Sequence, residues 1–113
     1  MAKALFLIMS GADSPAKANL GLMSASRALE KQRYDDLKVL LFGPSEEYVT
    51  KLEGNIKEAF NKLVEGKAID SACVFIAQNA GIEDKMKEFG IDLQPAGERL
   101  SHFVNDGYQV ISF

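Results

Sequence analysis

Apolar positions along this chain fall into short runs separated by stretches with helical spacing, and turn residues stand at nearly every change of pattern. Residues 2–9, AKALFLIM, are apolar without a break from Ala4 to Met9 and stop at SGADSP. An unbroken run of this length predicts a strand covered on both faces, as in a parallel sheet between helices. Ser14 followed by Pro15 has the form of an N-cap with proline at the first helical position, so a helix starts there. Ala18, Leu22, Ala25 and Leu29 then recur at spacings of four, three and four, one stripe of a helix that reaches about Gln32.

The same order repeats. LKVLLF, from Leu37 to Phe42, predicts a second strand that ends at GPSEE. There Ser45 is placed to cap, and Glu46 and Glu47 suit the positive end of a helix dipole. Val49, Leu52, Ile56, Ala59, Phe60 and Leu63 keep helical spacing to about Glu65, with Gly54 and Asn55 dividing the segment in two. AIDSAC is the third strand. IEDKMKEFG is a short polar helix closed by Gly90, and IDLQ is a brief extended piece before Pro95. Residues 96–104 carry Leu100, Phe103 and Val104 at helical spacing, and GYQVISF is the last strand. Strands alternating with helices predict a single α/β domain over residues 1–113, a three-layer sandwich around a mostly parallel sheet of about five strands.

With 113 residues, 47% of them hydrophobic and 26% charged, the chain has the size and composition of one ordinary globular domain. Its net charge of −3, without a run of like charge, offers neither the basic stripe that a nucleic-acid backbone attracts nor one for an anionic membrane. ALFLIM is too short for a bilayer span and lacks the h-region and cleavage site of a signal peptide, so the cytoplasm is the expected compartment. One cysteine and one histidine exclude an internal disulfide and a four-ligand structural metal site.

In open α/β sheets, ligands and reactive groups gather where the carboxyl ends of strands hand over to helices. Three such edges are visible: SGADS, GPSEE and the residues after Cys73, the one cysteine of the chain. Periodicity leaves CVFIA open. Either the third strand continues through Ile76 with Cys73 inert in its middle, or the strand ends near Ala72 and residues 74–80 form a short helix closed by Gly81. The helix-compatible AQNAG favours the second. Cys73 then stands at a helix N-terminus, where free amides and the dipole favour a thiolate and lower a pKa that is ordinarily ~8.5. The bland alternative is a cysteine packed as a small hydrophobe.

IDSACVFIAQNAGI, with Gly81 eight residues after Cys73, and the ending LSHFVNDGYQVISF resemble the DsrE/DsrF-like family, which includes a subunit of the bacterial Tus sulfur-relay complex. The resemblance covers nearly the whole chain. It implies a small α/β domain assembled into trimers or hexamers, and a cysteine, here Cys73, that carries persulfide sulfur between donor and acceptor proteins. Some members lack that cysteine and serve as structural subunits. The exchange needs no external cofactor, because a thiolate accepts the terminal sulfur of a persulfide directly. A non-catalytic assembly or regulatory subunit and a thiol peroxidase are the alternative readings.

Ser10, Gly11 and Ser14 are candidate walls of the cysteine pocket, although SGADSP lacks the glycine-lysine pattern of a phosphate loop. Asn79 is a candidate hydrogen-bond donor to a sulfur anion. His102, the sole imidazole, is expected to pack at the surface or an interface, since nothing local orients its ring.

Overall fold

The computed structural model describes residues 2–113 and turns each apolar run into a strand. β1 (Lys3–Ile8), β2 (Asp36–Leu41), β3 (Ile69–Cys73), β4 (Leu93–Gln94) and β5 (Gln109–Ser112) form one sheet in the order β4-β3-β2-β1-β5. Every pairing is parallel. The helices are α1 (Pro15–Glu30), α2 (Ser45–Tyr48) continued by a 3-10 turn at Val49–Lys51, α3 (Gly54–Glu65), α4 (Val74–Ala80), α5 (Glu83–Phe89) and α6 (Ala96–Asn105).

The strand order decides which face each helix covers. From β1 to β4 the chain steps across the sheet in one direction, and right-handed crossovers put the connecting helices on one side. The return from β4 to β5, on the far side of β1, runs the other way, so α6 crosses the opposite face. The packing follows this rule. Phe6, Ile8, Val39 and Leu41 meet Leu22 and Ala25 of α1, Phe60 and Leu63 of α3 and Met86 of α5 in the larger core. Leu5, Leu7 and Leu40, on the alternate pleat positions, meet Phe103 and Leu100 of α6 in the smaller one. Because both faces of β1 are covered, its residues are apolar without alternation.

Several local expectations shift. α1 ends at Glu30 rather than Gln32, whose φ of 52° is left-handed. Ser14 holds the N-cap position before Pro15, but its hydroxyl makes no capping bond. Ser45 does not cap α2. Pro44 takes that position, and the Ser45 hydroxyl instead donates to the carbonyl of Ile8 at 2.6 Å, joining the end of β1 to the start of α2. Gly54, at φ 66°, marks the division between the 3-10 turn and α3. Among the described residues, no helix is long and apolar enough to cross a membrane.

Candidate functional site

β3 ends on Cys73, which pairs with Gln94 of β4, and α4 begins at the next residue. Cys73 is the N-cap residue, with extended φ and ψ of −66° and 119°, and Gly81 closes the helix in the left-handed conformation at φ 70°. The helical reading of residues 74–80 therefore holds, and the cysteine stands at the carboxyl edge of the sheet. Its exposure does not match the expectation of an accessible thiol: Cys73 is only 4% exposed. The reason is tertiary, because α4 packs against α2, α5 and β4 and closes the edge around it. With seven residues, α4 is also too short to carry a large dipole.

The Cys73 amide faces the carboxyl of Glu46 of α2, a residue that the sequence marks as suited to the positive end of a helix dipole. It is fully buried. Its Oε2 accepts the amide of Gly43 at 3.2 Å, while Oε1 has no hydrogen-bond partner. Burial pushes the carboxyl up to about 7, against the opposing pull of the Gly43 and Cys73 amides, both of which face it. No charged side chain contributes to that shift.

Glu46 is held by two interlocked loops. The Ser45 amide donates to Met9 O at 3.0 Å and the Phe42 amide to Ile8 O at 3.1 Å, so the turn after β2 is laced to the end of β1. Gly11 is required at this crossing. A Cβ there would lie 2.3 Å from the carbonyl oxygen of Pro44, closer than any real contact. Gly43, at φ 115°, lets the chain leave β2 at the angle that returns Glu46 inward.

The other candidate residues are spread over the β1–α1 loop, α4 and α6. Ser10 is buried with its amide on Phe113 O at 3.2 Å, Gly11 donates to Asp13 Oδ1 at 2.8 Å, and Ser14 is half-buried. All three lie on the β1–α1 loop, and Gly11 meets the Pro44 turn that leads into Glu46. Asn79 is exposed in the last turn of α4, about 9 Å along the axis from the cysteine at 1.5 Å per residue. His102 is exposed on the last turn of α6, edge-on to Phe103 at 5.2 Å. Because α6 runs back from the carboxyl edge, that turn lies toward the opposite end of the sheet from Cys73.

A cleft of about 160 Å³ lies at the carboxyl edge, lined by Ala12, Pro44, Glu47, Tyr48 and Lys51. Cys73 is not part of its wall. A larger one of about 250 Å³ lies between α1 and α3, among Arg27, Glu30, Glu58 and Lys62. Among the described residues, no group of three or more His, Cys, Asp and Glu side chains is arranged to hold a metal ion.

No family model matches this sequence, and no curated protein matches it. Solved structures do. The conserved protein of unknown function BT1422 from Bacteroides thetaiotaomicron superposes with a TM-score of 0.78 at 18% identity, over 98% of this chain and 94% of the other. The protein of unknown function MTH1491 from Methanobacterium thermoautotrophicum gives 0.69 at 16% identity, over the full length of both. At that level of identity the shared property is the fold, so the chain is a single-domain α/β three-layer sandwich similar to these two proteins from end to end.

Proposed function

We propose that the protein is a cytoplasmic sulfur carrier, a homo-oligomer in the manner of the DsrE/DsrF-like proteins that its sequence resembles, with Cys73 as the residue that accepts sulfur. The supporting observation is the place of the one cysteine at the turn from β3 to α4, on the carboxyl edge of the parallel sheet where reactive groups of such folds gather. The thiolate would attack the terminal sulfur of a donor protein's persulfide and later yield it to an acceptor thiol. Because Cys73 is nearly buried in the isolated chain, transfer requires the first turn of α4 to open when a donor docks; Phe75 in that turn is 60% exposed.

The same burial favours a second reading, a non-catalytic assembly or regulatory subunit in which Cys73 is core. Intact mass after exposure to a persulfide donor separates the two. A +32 Da adduct that disappears in Cys73→Ser is the expected result, and an unmodified native protein decides for the assembly subunit.

A further inference from the structure

The two outer strands of the sheet are guarded differently. β4 is two residues long, with Asp92 before it and Pro95 after it, so it presents little backbone to a further strand and flanks that backbone with a charge and a residue that has no amide hydrogen. β5 has none of these guards. Gln109–Ser112 carries neither charge nor proline, and its register with β1, from Ala4 opposite Gln109 to Leu7 opposite Ser112, runs without a bulge. It stands last in the strand order, and among the described residues no strand pairs with its outer edge. Gln109, Val110 and Ser112 are exposed.

The ladder decides which backbone groups are free there. Phe113 donates its amide to Leu7 O at 2.9 Å and accepts the Met9 amide at 2.8 Å, so both of its polar groups point to β1. Peptide groups alternate in direction along a strand, which turns those of Gln109 and Ile111 toward β1 as well and those of Val110 and Ser112 outward. Apolar surface borders the edge on both sides of the sheet. Val110 is 40% exposed on the α6 side; on the other, α1 passes close over the end of β5, where a Cβ on Gly21 would lie 2.9 Å from the Phe113 ring, and the adjacent Leu20 is 60% exposed.

We propose that the outer edge of β5 is the contact between two copies of this chain, which pair antiparallel about a two-fold axis at Val110 and join their five-stranded sheets into one. Across such an axis a residue meets itself, and like charges directly opposite one another are destabilising, so an edge without charge suits a second copy in particular. Val110 on the axis sets an apolar side chain against its own copy and exchanges both backbone bonds with it, as the hydrogen-bonded pair of an antiparallel ladder does. The contact covers the open edge of each copy and leaves only the guarded β4 edges outside, so it closes at two. A four-residue edge alone falls short of the ~800 Å² per partner of a standard interface, and Val110 and Leu20 supply further apolar area beside it. This contact rests on the homo-oligomer part of the proposed function, gives it an interface, and makes no use of Cys73.

Sedimentation equilibrium of the wild type, of Val110→Glu and Val110→Lys singly, and of the two variants mixed in equal amounts tests the contact, with circular dichroism to establish that each variant is folded. The expected results are twice the chain mass for the wild type, the chain mass for each variant alone, where like charges meet on the axis, and the doubled mass restored in the mixture, where opposite charges meet. The Val110 amide of the wild type should also exchange with deuterium more slowly at high protein concentration than at low. An oligomer that both single variants retain overturns the β5 contact and assigns the homo-oligomer to another surface. Variants that dissociate and are not restored by mixing overturn the two-fold pairing at Val110. A monomeric wild type overturns the contact and the homo-oligomer together, and leaves the edge to a strand of another protein. The +32 Da adduct on Cys73 reads sulfur transfer separately from all of these.

Discussion

A buried acid has an energetic signature of its own. Glu46 titrates at 4.5 when free and at about 7 when folded. Below 4.5 it is protonated in both states and adds nothing to the pH dependence of stability. Between 4.5 and about 7 the unfolded chain ionises while the folded one does not, so the unfolded state is favoured as pH rises, and above 7 the full penalty stands. A rise from 4.5 to about 7 corresponds to about 3 kcal/mol. Urea unfolding of the wild type should therefore show stability falling by that order from pH 4.5 to 7.5, and Glu46→Gln, of the same shape, should remove that part of the slope. A slope unchanged by the substitution would mean that Glu46 ionises freely in the fold.

Between elements, the tie most open to test joins β3 to α6. Arg99 donates through Nε and a terminal nitrogen to the two oxygens of Asp70, at 2.9 and 2.8 Å, and Ser71 donates to the same carboxylate at 2.9 Å. Burial alone would raise Asp70, but the Arg99 and Ser71 hydrogen bonds and the charges of Arg99 and Lys38 outweigh it and hold the carboxyl below its usual 3.8. The stabilisation is present above 3.8 and is lost as pH falls through the lower folded value, the opposite direction from Glu46. Arg99→Met should cost about 1–2 kcal/mol at pH 7, the range of a charge-assisted bidentate pair, and much less near pH 3. Equal losses at both pH values would assign the effect to the Arg99 stem, which also packs over Phe103 at 5.3 Å.

Across the whole molecule, the sheet is covered unevenly. Three helices bury one face, whereas α6 alone crosses the other, over β2 and β3. On that side Val104 of α6 is 54% exposed, and Val110 of β5, which pairs with Leu5 of β1, is 40% exposed. If the proposed homo-oligomer uses this face, Val110→Glu should reduce the mass measured by sedimentation equilibrium to that of a 12.4 kDa monomer while leaving the circular dichroism unchanged. A wild-type protein that sediments as a monomer would remove the oligomer from the functional proposal.

Much of this protein was settled by its sequence. The unbroken runs at Ala4–Met9 and Leu37–Phe42, the helical stripe from Ala18 to Leu29, and the glycines at 81 and 90 are local signals, and local sterics and periodicity turn them into strands, helices and caps wherever they stand in the chain. They placed Cys73 at the end of β3. What they left open was who its neighbours are and whether solvent reaches it, because both depend on strand order and on how separate turns interlock. Glu46 shows the difference: GPSEE announces a turn and a helix start, but only the lacing of that turn to the end of β1 and to the loop after it, through Ser45, Gly11 and Pro44, carries the carboxyl into the interior. Gly11 belongs to that lacing, and Asn79 and His102 to the surface, for the same reason. Spacing along a chain reports the face a residue takes on its own element, and the assembled sheet decides what lies across from it.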